Sequence, residues 1–116
     1  MGDFLTLEPV ADPVPVPFLQ LHGTDDTTVP YEGGVYQGYV EPGAVANFET
    51  WAARNRCSGQ TLEEVAGERT RVEAEGCDAP VVHVRVDGEG HKPRFIFEDG
   101  SSSTELMWEF LSQFSL

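Results

Sequence analysis

The sequence predicts an α/β fold, because segments with strand periodicity alternate with segments of helical periodicity along 116 residues, the length of one domain. The apolar run at 18–21 lies between a proline and a glycine, as expected of a buried strand. At 81–86, valines alternate with His83 and Arg85, which is typical of a strand with one wetter face. We therefore expect His83 at the surface or at a sheet edge.

The segment before the first strand is rich in proline, so residues 1–16 are predicted to be an extended lead-in and residues 17–116 the folded domain. After the strand, glycine and proline punctuate residues 32–43, which predicts an exposed loop. This loop would carry three tyrosines to the border of a substrate cleft, at positions Tyr31, Tyr36 and Tyr39.

Apolar residues recur at helical spacing over 44–56, which predicts an amphipathic helix that includes Trp51. Residues 58–67 show no clear period and are expected to be irregular. Two strands are predicted at 69–75 and 81–86. Near the end of the chain, Ser102 and Glu105 have the spacing of a capping box, so a closing helix should follow.

The chain is strongly acidic, with 20 Asp and Glu against 7 Lys and Arg and a formal charge of −13. Such a charge repels phosphate backbones and anionic lipid surfaces, so we predict neither nucleic acid nor membrane as a partner. The first residues show neither the cationic nor the apolar part of a secretory signal.

The chain has two cysteines, Cys57 and Cys77. Their spacing does not suit a metal-binding pair, but it would suit a disulfide that closes a loop of about 20 residues and contributes roughly 3 kcal/mol. A bridge would imply an oxidising compartment. Two buried free thiols are the alternative.

Two short motifs carry the candidate chemistry, and each follows a predicted strand. The run from His22 to Asp26 comes after the first strand, and Gly88-Glu89-Gly90-His91 comes after the strand at 81–86. Open α/β sheets place their active sites at the carboxyl ends of the strands. We expect Asp26 to accept the Nδ1–H of His91, with Asp25 directed to solvent, which is the acid–base arrangement of a hydrolase triad.

From Pro17 onward the chain resembles the carboxyl-terminal part of the polyhydroxybutyrate depolymerase and feruloyl or acetylxylan esterase group of α/β-hydrolases. The resemblance rests on several short matches in the same order: residues 17–34, the Trp51-Ala52-x-x-Asn55-x-Cys57 segment, Gly76-Cys77, Gly88–His91, and a closing helix with Trp108 and Phe110.

This resemblance implies that Asp26 is the catalytic acid, that His91 is the catalytic base and that Cys57 and Cys77 form a disulfide. It implies an ester substrate, either a polyester or a feruloylated or acetylated polysaccharide, and no cofactor. Tyr31 and Trp51 are the candidate substrate-binding residues. A full-length parent would be extracellular or periplasmic.

Two features depart from that group. Lys92-Pro93-Arg94 follows His91 where the group has Trp-Pro-Gly, and the chain contains no Gly-x-Ser-x-Gly nucleophile motif. We therefore expect a fragment of an α/β-hydrolase whose nucleophile and oxyanion hole belong to a missing amino-terminal half. Such a fragment should have no substantial esterase activity alone and should self-associate through exposed strand edges.

Two other interpretations stay open at this point. The first is a non-catalytic module in which the tyrosines, with Trp51 or Trp108, stack on sugars or aromatic rings. The second is a metal site made from His22, Asp25, Asp26 and His91, whose spacing is not that of a known zinc motif. No metal is predicted.

Overall fold

The computed structural model describes residues 14–36, 38–92 and 94–114, which form a four-stranded mixed sheet with a helix on each face and a separate small hairpin. The elements in chain order are β1 (Phe18–Gly23), β2 (Gly34–Tyr36), β3 (Tyr39–Glu41), α1 (Ala44–Arg54), β4 (Thr61–Ala66), β5 (Arg69–Ala74), β6 (Val81–Val86) and α2 (Ser103–Leu111).

The strand order of the sheet is β1-β6-β5-β4. β1 and β6 are parallel, with Phe18 opposite Val81 and Gly23 opposite Val86, whereas β6, β5 and β4 are successively antiparallel. The parallel register brings the carboxyl ends of β1 and β6 to the same edge. The two loops that carry the candidate acid and base therefore start side by side.

The core has two parts, one on each face of the sheet. On the α2 face, three valines of β6 pack against three phenylalanines: Val82, Val84 and Val86 against Phe95, Phe97 and Phe110. On the α1 face, Phe48 packs with Val81 and Ala74, and Phe18 and Trp51 extend this cluster. Because both faces of β6 are covered, its valines and His83 are excluded from water, and this burial stabilises the fold. The Arg85 side chain is the exception, because it remains 39% exposed.

The structure confirms the predicted strands at β1, β5 and β6 and the two predicted helices, although α1 ends at Arg54, two residues earlier than expected. One of the two hydrogen bonds of the predicted capping box is also present. Ser102 is the N-cap of α2, and its hydroxyl accepts a hydrogen bond from the Glu105 N–H at 3.3 Å.

Three predictions are wrong. Residues 61–66 form β4 instead of an irregular segment. Their side chains show no strand periodicity, but pairing with β5 supplies hydrogen-bond partners for the backbone N–H and C=O groups. The expected loop at 32–43 contains the β2–β3 hairpin. His83 is 3% exposed, since α1 covers the face of β6 that the sequence pattern indicates to be wetter.

Cys57 and Cys77 form a disulfide, which joins the segment after α1 to the connection between β5 and β6. Beside it, the buried Asn55 side chain donates hydrogen bonds to the carbonyl oxygens of Val16 and Ala79, at 2.8 and 3.3 Å. These contacts tie three segments together where β1 and β6 begin.

Residues 14–16 of the predicted extended lead-in have no helix or strand, and residues 1–13 lie outside the described residues. Among the described residues, no helix has the length and apolar character needed to cross a bilayer.

Candidate active site

The loops after β1 and β6 are joined by backbone contacts at the shared edge of the sheet. The Asp25 N–H donates to the Glu89 carbonyl at 2.9 Å, and the Gly88 N–H donates to the Thr24 hydroxyl at 2.8 Å. Gly23 makes this approach possible, because a Cβ at this position would lie 2.2 Å from the Glu89 carbonyl oxygen. The glycine and threonine of the first motif thus hold the second loop in place.

Asp26 lies in a tight turn just beyond β1, and its side chain is 7% exposed. Its Oδ1 accepts hydrogen bonds from the backbone N–H groups of Thr28 and Val29, at 2.9 and 2.7 Å. The other oxygen, Oδ2, lies 2.9 Å from Nδ1 of His91. The turn therefore fixes the carboxylate and aims one oxygen at the imidazole.

His91 is the exposed member of the pair, with 56% of its side chain accessible. Since a carboxylate accepts hydrogen bonds, Nδ1 carries the proton and donates it to Asp26, which leaves Nε2 without a proton. Nε2 has no hydrogen-bond partner among the described residues. The His91 imidazole is thus oriented so that Nε2 can accept a proton from a reacting group beside it.

Burial of the Asp26 carboxyl raises its pKa. This effect is outweighed by the hydrogen bonds from Val29, His91 and Thr28, which hold the pKa of Asp26 below its ordinary value. The carboxylate is therefore ionised at neutral pH, as it must be to orient an imidazole and to stabilise its cation. Asp25, the neighbouring residue, is exposed to solvent, as predicted.

Behind the pair lies a buried polar chain. The His22 Nε2–H donates to the Val29 carbonyl oxygen at 2.6 Å and lies 3.5 Å from Asp26 Oδ2. The ring of Tyr31 meets the His22 ring edge-on, and Tyr31 Oη lies 2.6 Å from Nε2 of His83. The Asp26 turn is thereby connected to the centre of the sheet.

The predicted substrate-binding residues do not gather around Asp26 and His91. The hydroxyl of Tyr31 points toward His83 on the α1 face. Trp51 stacks on Phe18, with ring centroids 4.8 Å apart, at the opposite end of β1 from Asp26 and about 16 Å away along the strand. Trp108 is 72% exposed on α2. The side chains of Tyr36 and Tyr39 are outside the described part of the structure.

Of two cavities in the structure, one is lined by Asp26 and His91 and the other is not. A cavity of about 240 Å³ is lined by both Asp26 and His91, together with Leu21, Val29 and Phe95. A larger cavity of about 520 Å³ lies between α1 and the β4–β5 hairpin, and its lining includes neither Asp26 nor His91. The smaller cavity is therefore the candidate site for a reacting group.

The proposed metal ligands are brought together only in part. His22 and His91 both approach Asp26 Oδ2, at 3.5 and 2.9 Å. His91 Nδ1 is hydrogen-bonded to Asp26, the His22 Nε2–H is donated to the Val29 carbonyl oxygen, and Asp25 faces solvent. Within the described ranges, no group of three or more His, Cys, Asp or Glu side chains is arranged to hold a metal ion.

Sequence reasoning missed the roles of Thr24 and His83. The hydroxyl of Thr24 joins the two loops, and His83 connects the core of the sheet to Tyr31. The signal that could have indicated a buried His83 is its position in the valine-rich run at 81–86, because nearly continuous apolar runs are typical of strands that are covered on both faces.

The chain is similar to fungal feruloyl esterases. It is 32% identical over 109 residues to feruloyl esterase B of Piromyces equi, in an alignment that covers 88% of this chain and 19% of that protein. It is 29% identical over 99 residues to feruloyl esterase C of Emericella nidulans and 26% identical over 99 residues to probable feruloyl esterase C of Aspergillus niger. Both of these alignments cover 83% of this chain and 33% of the relative.

The chain thus spans between about a fifth and a third of the length of these relatives. No family model matches the sequence, and no solved structure matches it. The similarity supports an esterase-like ancestry for the chain.

Proposed function

We propose that this chain carries the acid and the base of a serine-type carboxylic ester hydrolase, with Asp26 as the acid and His91 as the base. The observation that carries the proposal is the contact between a buried carboxylate and an exposed imidazole, 2.9 Å from Asp26 Oδ2 to His91 Nδ1. His91 Nε2 would remove the proton of a serine hydroxyl as the oxygen attacks the ester carbonyl. It would then return that proton to the leaving alcohol, while Asp26 stabilises the imidazolium.

The nucleophile of this reaction belongs to residues outside the chain described here. The sequence contains no Gly-x-Ser-x-Gly, and the chain aligns with only part of each feruloyl esterase. We propose that the fold is the carboxyl-terminal part of an α/β-hydrolase. The acid and base follow neighbouring parallel strands with a helix on each face, which supports this assignment.

Feruloyl esters of polysaccharides are the substrate class that we propose first, because the relatives are named as feruloyl esterases. Polyesters and acetylated polysaccharides are the competing ester substrates. An extracellular or periplasmic setting for the whole protein agrees with the disulfide, because disulfides persist in oxidising compartments.

The test is hydrolysis of methyl ferulate, methyl acetate and a polyhydroxybutyrate film by this chain and by a version extended with the coding sequence upstream of Met1. The extended protein should hydrolyse the feruloyl ester, and the 116-residue chain should not. In the extended protein, His91→Gln and Asp26→Asn should each lower kcat by about a thousandfold or more.

Asp25→Asn is the matched control, because it removes the neighbouring exposed carboxylate from the same turn. It should leave kcat within about twofold of the unsubstituted value, as is usual for a group outside the reacting set. Hydrolysis that survives His91→Gln would overturn the proposed base, and equal losses for Asp25→Asn and Asp26→Asn would overturn the proposed acid.

A further inference from the structure

All three histidines of the chain belong to one connected set of contacts, although they come from three different segments. His91 meets Asp26, and Asp26 lies 3.5 Å from His22. The ring of His22 packs edge-on against Tyr31, whose hydroxyl lies 2.6 Å from His83. The exposed base is thus connected by consecutive contacts to a buried imidazole in the sheet.

The protonation of His83 is determined by its neighbour Gln20. The Gln20 amide NH₂ donates to the Ala44 carbonyl oxygen at 2.8 Å and lies 3.0 Å from Nδ1 of His83. The Gln20 carbonyl oxygen accepts from Asn47 at 2.8 Å, which fixes the orientation of the amide. Nδ1 of His83 must therefore accept, so Nε2 carries the proton and donates it to Tyr31 Oη.

Tyr31 is placed where it can hold the turn that presents Asp26. The turn begins at Asp26, whose Oδ1 accepts a hydrogen bond from the Val29 N–H, and Tyr31 lies two residues after Val29. The Tyr31 carbonyl accepts from the Ala44 N–H at 2.7 Å, and its side chain reaches across the α1 face to His83. The far end of the turn is thus attached both to α1 and to β6.

We propose that Tyr31 and His83 are positioning residues for the Asp26–His91 pair. Their hydrogen bond keeps the turn in the position in which the Asp26 carboxylate can accept a hydrogen bond from His91 Nδ1. Neither side chain touches the reacting atoms, so their contribution acts through Asp26. The inference rests on the proposed function only in treating Asp26 and His91 as acid and base, since the positioning itself is a property of this chain.

The test is nitrogen-edited NMR of the histidine rings in the 116-residue protein, which reports the tautomer of each imidazole without any hydrolysis. The unsubstituted protein should show His91 protonated at Nδ1 and His83 protonated at Nε2. Tyr31→Phe keeps the ring against His22 but removes Oη. It should abolish the protected Nδ1–H signal of His91, because the carboxylate that accepts this hydrogen bond moves away from the ring.

His83→Leu should have the same effect as Tyr31→Phe. His83→Gln should restore the His91 signal, because its amide can still donate to Tyr31 Oη. Phe48→Leu is the matched control, since Phe48 packs against the His83 ring on the same buried face but has no part in the polar chain. It should lower the melting temperature and leave the Nδ1–H signal of His91 unchanged.

Three outcomes would overturn the proposal. They are an unchanged His91 in Tyr31→Phe, an equal loss of the His91 signal in Phe48→Leu, and no protected Nδ1–H in the unsubstituted protein. None of these outcomes depends on ester hydrolysis. A protein that shows the expected NMR pattern but no activity in its extended form would contradict the proposed function alone.

Discussion

His83 and His91 carry the same imidazole in opposite environments, and burial separates their roles. His83 is 3% exposed, and its ring nitrogens face Gln20 and Tyr31. His91 exposes 56% of its side chain and has a carboxylate at Nδ1. The enclosed ring of His83 can keep its hydrogen-bonded neighbours in position but cannot exchange protons with a substrate, whereas the exposed ring of His91 can do so.

The buried imidazole predicts a pH dependence of stability. Burial, with additional repulsion from the charges of His22 and Arg85, lowers the pKa of His83 to about 4 from an ordinary value of 6.5. Between these values the unfolded chain binds a proton at His83 and the folded chain does not. The free energy of unfolding should therefore fall as the pH falls from about 6.5 to about 4, by up to about 3 kcal/mol.

Urea denaturation at several pH values between 7.5 and 4 measures this effect. His83→Gln should flatten the dependence in that range, while Phe48→Leu should lower stability at every pH and keep the slope. Asp26 acts in a lower range, because its pKa is held below 3.8 and its contribution is lost only as the pH falls through that lowered value. An unchanged slope in His83→Gln would contradict the assignment of His83 as a buried neutral imidazole.

At the scale of elements, β1 and β6 have different anchors at their two ends. Where they begin, the disulfide and Asn55 join α1 to the β5–β6 connection. Where they end, the Thr24 hydroxyl and the Asp25 N–H join the two loops of the candidate site. The disulfide should therefore contribute to stability without shaping the site.

Replacing both cysteines, as Cys57→Ser with Cys77→Ser, tests this separation. The free energy of unfolding should fall by about 2–4 kcal/mol, because the unfolded chain regains the freedom of a closed loop. The protected Nδ1–H signal of His91 should persist. Reduction of the unsubstituted protein should give the same loss of stability and should not affect the double variant. A site signal lost together with the disulfide would show that the two ends are not independent.

At the scale of the whole molecule, two surfaces lack cover within the described residues. β1 pairs with β6 on one side only, and its other edge has no strand partner there. On α2, the side that faces away from the sheet carries Met107, Trp108 and Leu111, which are 38%, 72% and 60% exposed. Unpaired strand edges and contiguous apolar side chains favour association with another surface.

We therefore predict concentration-dependent self-association of the 116-residue protein, measured by sedimentation velocity across a series of concentrations. Trp108→Lys should weaken the association about tenfold or more, because it removes a large apolar contact from the surface. Thr104→Lys adds the same charge at an exposed position of the same helix and should have little effect. A protein that stays monomeric at every concentration would contradict this prediction.

Local patterns were sufficient for much of the fold. The apolar run of β1, the alternation in β6 and the helical spacing in α1 and α2 are patterns of a few neighbouring residues, so the sequence shows them directly. The same is true of the Ser102 cap. The sequence was insufficient for β4 and for the β2–β3 hairpin, because their strand character comes from pairing with a neighbour and not from a period of their own.

The sequence by itself determined where the candidate acid and the candidate base lie, directly after two strands, and the structure places Asp26 Oδ2 and His91 Nδ1 2.9 Å apart. Only the tertiary structure decided that His83 is buried, that Trp51 packs on Phe18 away from the pair, and that Cys57 is bridged to Cys77. Each of these outcomes depends on which face of a strand a helix covers or on which distant segments meet. Burial and long-range contact arise from packing the elements together, and no local spacing in the chain specifies them.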